Sequence, residues 1–215
     1  MLRKVVVVAL PSPSNSCVHC HQPSPSFVLT CDACKKLQPF PASQPDYFQL
    51  FGLSPAPAID EPALRETFYE LSRKTHPDAH AQSDSFNQLQ ASKWSTLVNK
   101  AFQTLRNKEL RLEYLLETIG RKNPQGFTPP IHLAERYFEL QETLSEGPNE
   151  KAIAEFLVSL EEEQSRNETN WEKLVSDWAT AESKESLLPG IKKYLDTQKY
   201  LNSMKADLNR TRGLL

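Results

Sequence analysis

LSRKTHPDAH, Leu71 to His80, ends a run of helical spacing on the tripeptide His76-Pro77-Asp78. Pro77 brings no backbone N–H and disfavours helical geometry at the residue before it, so the tripeptide stops a helix. That helix starts at Asp60, a favourable N-cap, with Pro62 tolerated in the first turn and Leu64, Phe68 and Leu71 repeating at i, i+4, i+7. After the stop, from about Asn87 to Arg106, Trp94, Leu97, Val98, Ala101, Phe102 and Leu105 share one face. Leu112, Leu115 and Leu116 mark a further helix over about Glu109 to Ile119. With the short YFQLFGL element upstream, these segments predict a small antiparallel helical domain over residues 46–119.

The flanking regions differ in kind. Ten of the 16 prolines fall before residue 63, and they break residues 1–45 into pieces too short for a helix or a central strand. Residues 1–14 read as a flexible tail or targeting segment: no acidic residue precedes Asp32, and Arg3 and Lys4 precede a Ser/Pro-rich stretch. Beyond a linker at 120–130 (GRKNPQGFTPP), residues 131–215 predict three antiparallel helices of coiled-coil character. Leu133 to Leu144 form the first. Ile153, Leu157, Leu160, Trp171, Leu174 and Trp178 follow steps of three and four in the second, interrupted by Gln164 and Asn167. Leu187, Ile191, Tyr194, Leu201 and Leu208 continue the rhythm in the third. The expected class is all-α.

Composition narrows the function. A chain of 215 residues with 39% hydrophobic content can bury one or two modest cores. The longest purely apolar run, Val5 to Leu10, is far short of a membrane span, so a soluble protein is expected. A net charge of -2 gives no global positive field to draw nucleic acid or an anionic membrane. Residues 131–185 are locally acidic, 14 Asp/Glu against 5 Lys/Arg, which favours a basic partner patch. No phosphate-cradling glycine loop, open metal site or catalytic triad is apparent, and an enzyme is not expected.

All four cysteines lie within CVHCHQPSPSFVLTCDAC, as two C-x2-C pairs, Cys17/Cys20 and Cys31/Cys34, separated by ten residues. Four thiolates so spaced can close a tetrahedron, which suits structural zinc; a redox pair, an iron-sulfur site or two disulfides are the alternatives. A segment of this size, residues 15–43, has no core of its own, so the metal would supply its folding energy. His19 and His21 are expected to be bystanders, since four thiols complete a closed site. A closed site has no position for a catalytic water, and its expected job is architecture or docking.

The tripeptide between a helix bearing Arg65, Arg73 and Lys74 and an antiparallel partner helix, with DYFQLFGL upstream and AFQTLRN at the far end, resembles the J domain of DnaJ-type co-chaperones. That resemblance implies that His76, Pro77 and Asp78 stimulate ATP hydrolysis by a DnaK-class chaperone, while Arg65, Arg73 and Lys74 help to dock it. EYLLETIG, a linker and a C-terminal bundle without a Gly/Phe-rich stretch resemble the HscB type of co-chaperone, dedicated to iron-sulfur cluster biogenesis. The paired C-x2-C knuckles before the J domain are similar to animal mitochondrial members of that type, which implies the mitochondrial matrix, with the cytoplasm as the alternative.

In that family the bundle binds an iron-sulfur scaffold protein of the IscU type. HLAERYFELQETLSE then implies apolar contacts at Leu133, Ala134 and Phe138 and acidic ones at Glu139, Glu142 and Glu146, and QKYLNSM implies Tyr200. Ala134 departs from the larger aliphatic usual there. The competing readings are a J protein with a different client and a zinc-binding structural or interaction adaptor. No nucleic acid or membrane partner is expected, and a homodimer is allowed.

Overall fold

The computed structural model describes residues 16–23, 29–120 and 130–212, without the side chains of 211 and 212. The expected tail over 1–14 and nearly all of the linker over 120–130 lie outside the described residues. Within them the secondary structure is helical, with two isolated antiparallel bridges, Ser16 to Pro23 and Thr30 to Leu37. No helix among the described residues is long and apolar enough to cross a membrane. The described residues gather into two compact units. One runs up to Pro55 and resumes over Ile59–Asn107; the other joins Ala56–Ala58 to Lys108–Leu215.

In the first unit, Asp46 caps α1 (Tyr47–Leu50) by accepting the Gln49 N–H at 2.9 Å. Gly52 then adopts a φ of +67°, a conformation that a side chain would resist, and lets Leu53 N–H return to the Phe48 carbonyl at 2.8 Å. Asp60 caps α2 (Glu61–Thr75) as the sequence predicts, accepting from Ala63 N–H at 3.0 Å. α3 (Ser85–Arg106) starts two residues earlier than its apolar pattern, because Asp84 caps it through the Asn87 N–H at 2.8 Å. α2 and α3 pack through Leu64, Leu105 and a stacked Phe68–Phe102 pair whose ring centroids lie 4.0 Å apart.

The second unit holds α4 (Lys108–Ile119), α5 (Ile131–Ser145), α6 (Glu150–Thr180) and α7 (Leu188–Arg212). Leu133 and Leu140 of α5, Ile153, Phe156 and Leu160 of α6, and Leu201, Met204 and Leu208 of α7 form one core cluster. Each fully buried aliphatic side chain of this kind contributes about 1.5–3 kcal/mol. His132–Glu163 and Tyr137–Phe156 between α5 and α6, and Asn167–Gln198 and Trp171–Tyr194 between α6 and α7, run in opposite directions along the chain, so both helix pairings are antiparallel. Asn167 is buried, and its Nδ2 donates to the Tyr194 carbonyl at 3.3 Å and Gln198 Oε1 at 3.4 Å. The polar interruption in the apolar pattern is therefore a satisfied one, which pins the register of α6 against α7.

The expected domain over 46–119 places α4 with the preceding helices, whereas the division between units falls after Asn107. The reason is local packing. α4 lies along α7, where Glu113 receives the Lys199 ammonium and Asn202 Nδ2 donates to Glu109 Oε1 at 3.3 Å. Buried Arg111 donates through Nε to the Pro57 carbonyl at 3.0 Å, which carries Ala56–Ala58 into the same unit. Lys108 sits 4.1 Å from the Trp171 ring centre and 4.6 Å from that of Tyr194, with Glu168 at 3.3 Å.

Candidate functional site

The His-Pro-Asp corner is built from the end of α2. Thr75 is fully buried, and its hydroxyl donates to the Leu71 carbonyl at 3.0 Å, so the last helical residue is fixed. His76 takes an extended backbone, with φ -60° and ψ 130°, and Pro77 opens a single 3-10 turn over Pro77–His80. His76 Nδ1 accepts the Asp78 N–H at 3.2 Å, and the Ala79 N–H returns to the His76 carbonyl at 3.0 Å. With Nδ1 accepting, the proton of the neutral ring sits on Nε2. The Asp78 side chain is 91% exposed. Its Oδ2 lies 3.6 Å from His76 Nδ1, so the corner presents an exposed carboxylate beside the ring that braces the turn.

His80 completes the corner, a role that sequence reasoning missed. Its Nε2 lies 2.9 Å from the Lys74 carbonyl and donates to it, covering one of the carbonyls that α2 leaves open at its end. A histidine three residues after Pro77 is the signal that could have found it. Arg65, Arg73 and Lys74 are exposed on α2 as expected. The surface is mixed rather than uniformly basic: a groove of about 670 Å³ beside the corner is lined by Glu66, Tyr69 and Glu70 together with Arg73, His76 and Ala79.

On α5 the structure separates residues that the sequence pattern groups together. Phe138 is 73% exposed, Ala134 half-buried, and Glu139, Glu142 and Glu146 exposed. Leu133 is only 1% exposed and belongs to the core cluster. Ile131, seven residues before Phe138 and therefore on the same face, is exposed and extends the apolar surface beyond the expected set. Tyr200 of α7 is half-buried and packs against the core cluster; burial raises its phenol above the usual range.

The four cysteines form two copies of one knuckle, offset by 14 residues. The His21 N–H bonds the Cys17 carbonyl at 2.9 Å and the Lys35 N–H bonds the Cys31 carbonyl at 2.8 Å. His21 and Lys35 both adopt left-handed backbone, with φ of 58° and 59°, and the bridges at Ser16–Pro23 and Thr30–Leu37 flank the two turns. Such a conformation costs a residue with a side chain roughly 1 kcal/mol, so its repetition marks a geometric requirement.

The sulfurs converge. Cys17 Sγ lies 3.6 Å from Cys34 Sγ and Cys20 Sγ 3.7 Å from Cys31 Sγ, with all four within 4.8 Å of one another. A tetrahedral zinc with bonds of about 2.3 Å separates its sulfurs by about 3.8 Å, so the donor set fits that ion. The cysteines are free thiols, at separations far above a disulfide bond. Burial pushes the Cys17 thiol up, but the N–H groups of His19 and Cys20 and the neighbouring thiols outweigh it and bring it to about 6. Against the N–H of Gln22, burial and the three other thiols push Cys20 up to about 12. His19 stays outside the sulfur set, its Nε2 lying 3.1 Å from the Leu37 carbonyl.

Comparison with known proteins matches this layout. No family model matches the chain. It is 34% identical over 144 residues to a co-chaperone protein HscB homolog of Vibrio vulnificus, covering 59% of this chain and 82% of that protein. It is 28% identical over 151 residues to the iron-sulfur cluster co-chaperone protein HscB of Mus musculus, covering 69% of this chain and 64% of the mouse protein. The crystal structure of human co-chaperone protein HscB shares the fold, with a TM-score of 0.65, 24% identity, and coverage of 93% of this chain and 100% of that one. Chaperone HscB from Vibrio cholerae aligns with a TM-score of 0.54 at 25% identity, over 79% of this chain and 99% of that one. With 34% identity along 82% of a bacterial relative, the chain belongs to the HscB family of co-chaperones.

Proposed function

We propose that this chain is an adaptor: its second unit holds an iron-sulfur cluster scaffold protein of the IscU type, and its His-Pro-Asp corner stimulates ATP hydrolysis by the DnaK-class chaperone that receives it. The observation that carries the reading is the exposed Asp78 carboxylate on a turn that His76 braces through its Nδ1. A carboxylate held in this way can take a charge-assisted hydrogen bond from a partner cation. Arg65, Arg73 and Lys74 steer the chaperone's acidic surface toward it.

The scaffold meets Phe138 and Ala134 amid Glu139, Glu142 and Glu146, with Tyr200 alongside and Leu133 supporting α5 from the core. Cys17, Cys20, Cys31 and Cys34 hold zinc in a closed, architectural site. The chain itself performs no bond chemistry. Its compartment is the mitochondrial matrix, with the cytoplasm as the alternative, a reading supported by the resemblance of the paired C-x2-C knuckles to animal mitochondrial members and by the acid-free residues before Asp32; a fusion of residues 1–45 to a reporter that stays in the cytosol overturns this placement.

The experiment is Asp78→Asn, assayed for chaperone ATPase and for scaffold binding. Stimulation is expected to fall to the chaperone's basal rate while scaffold affinity stays within about twofold, since an exposed side chain is neutral to the fold. Retained stimulation sinks the assignment of the corner. A wild-type chain that stimulates the ATPase but shows no measurable scaffold binding points instead to a different client.

A further inference from the structure

Gln38 lies just beyond the second knuckle and is buried. Its Nε2 donates to Cys17 Sγ at 3.4 Å and to the Lys36 carbonyl at 3.1 Å, and its Oε1 accepts the Val18 N–H at 3.4 Å. Its backbone N–H is tied to the Leu29 carbonyl at 2.9 Å. The same residue turns its carbonyl to α3, where it accepts the Trp94 indole N–H at 2.8 Å. Two residues on, the Phe40 N–H donates to buried Gln90 Oε1 at 2.8 Å, and the Phe40 ring meets Trp94 edge to face at 5.0 Å between centroids. Trp94 is 1% exposed at the middle of α3, and α3 also packs against the 3-10 turn that carries Asp78.

We propose that Gln38 couples metal occupancy of the tetracysteine cluster to the anchoring of α3, so that the metal fastens the helical unit as well as the knuckles. The side chain of Gln38 reads the Cys17 sulfur and its backbone holds Trp94. Two short knuckles have little core to keep them closed, so the cation supplies that closure. When the knuckles open, the Gln38 amide loses its sulfur and Val18 partners, and the carbonyl that holds Trp94 loses its fixed position. Linkage is reciprocal: if zinc tightens α3, a docked α3 must tighten zinc by the same factor. This coupling does not depend on which client the chain serves, and its readouts need no chaperone or scaffold.

The test uses the full chain under reducing conditions, loaded with zinc or stripped by a chelator, with hydrogen exchange followed along the backbone. Stripping the wild type is expected to speed exchange at least tenfold at residues 38–40 and around Trp94 in α3, and to leave α6 and α7 unchanged. Two variants cut the relay at its two ends. Gln38→Ala removes the contact with Cys17 while keeping all four thiols, and zinc-loaded Gln38→Ala is expected to exchange around Trp94 as fast as the stripped wild type. Trp94→Phe keeps an aromatic ring but deletes the donor, and by reciprocity it is expected to weaken zinc binding about 3- to 10-fold in chelator competition. Exchange around Trp94 that ignores stripping overturns the proposal. So does zinc affinity unchanged in Trp94→Phe, or a response to zinc in Gln38→Ala equal to that of the wild type.

Discussion

Phe138 and Leu133 lie five residues apart on α5 and are assigned to the same contact by the sequence, yet their surroundings demand opposite outcomes on truncation. Leu133→Ala opens a cavity in the α5–α6–α7 core and is expected to cost about 2–5 kcal/mol in urea unfolding. Phe138→Ala removes a ring that is 73% exposed, so stability is expected to change by less than about 0.5 kcal/mol while scaffold affinity falls tenfold or more. A Phe138→Ala chain that unfolds early, or binds scaffold as before, removes Phe138 from the contact. The periodicity of α5 shows both residues as apolar positions of one helix. Which of them faces the core depends on α6 and α7, and no local pattern contains that information. Gln38 is harder still to read, because its bond to Trp94 spans 56 residues and depends on a backbone carbonyl.

At the scale of elements, the helices themselves were legible and the allegiance of one was not. The N-cap at Asp60, the stop at Pro77 and the apolar stripes of α2, α3 and α6 all act within a few turns of chain. α4 carries a stripe as well, Leu112, Leu115 and Leu116, but a stripe announces a buried face without naming its partner. The partner is α7, and Lys108 at the first turn of α4 shows the cost of the arrangement. Burial lowers its ammonium below the usual lysine range, against the pull of Glu168, so its charge is partly desolvated between Trp171 and Tyr194. Lys108→Met keeps the stem and deletes the cation. The loss of the aromatic contacts, worth about 0.5–2 kcal/mol, outweighs the relief of desolvation at this half-exposed site. Urea unfolding followed through α7 is expected to shift down by that amount, and a rise in stability would show that the charge is a burden there.

Across the whole molecule the charge is nearly balanced while its parts are not, with 14 acidic against 5 basic residues over 131–185. A local excess of this kind acts through its field, which raises encounter rates with a basic partner and is screened over about 10 Å at 0.1 M salt. The exposed glutamates that follow Phe138 on α5 and at its C-cap, Glu139, Glu142 and Glu146, are not needed for its apolar contact, so field and contact should separate kinetically. Raising salt from 0.05 to 0.5 M is expected to slow association with a scaffold about tenfold and to change dissociation less than about twofold. Replacing Glu139, Glu142 and Glu146 together by glutamine should flatten that salt dependence, because the exposed carboxylates act on the approach. Phe138→Ala should leave the slope alone and speed dissociation, since a buried ring at an interface is felt only once the complex has formed. A salt-independent association rate would mean that the acidic face is solvated surface alone, and recognition would then rest on the apolar face of Ile131, Ala134 and Phe138.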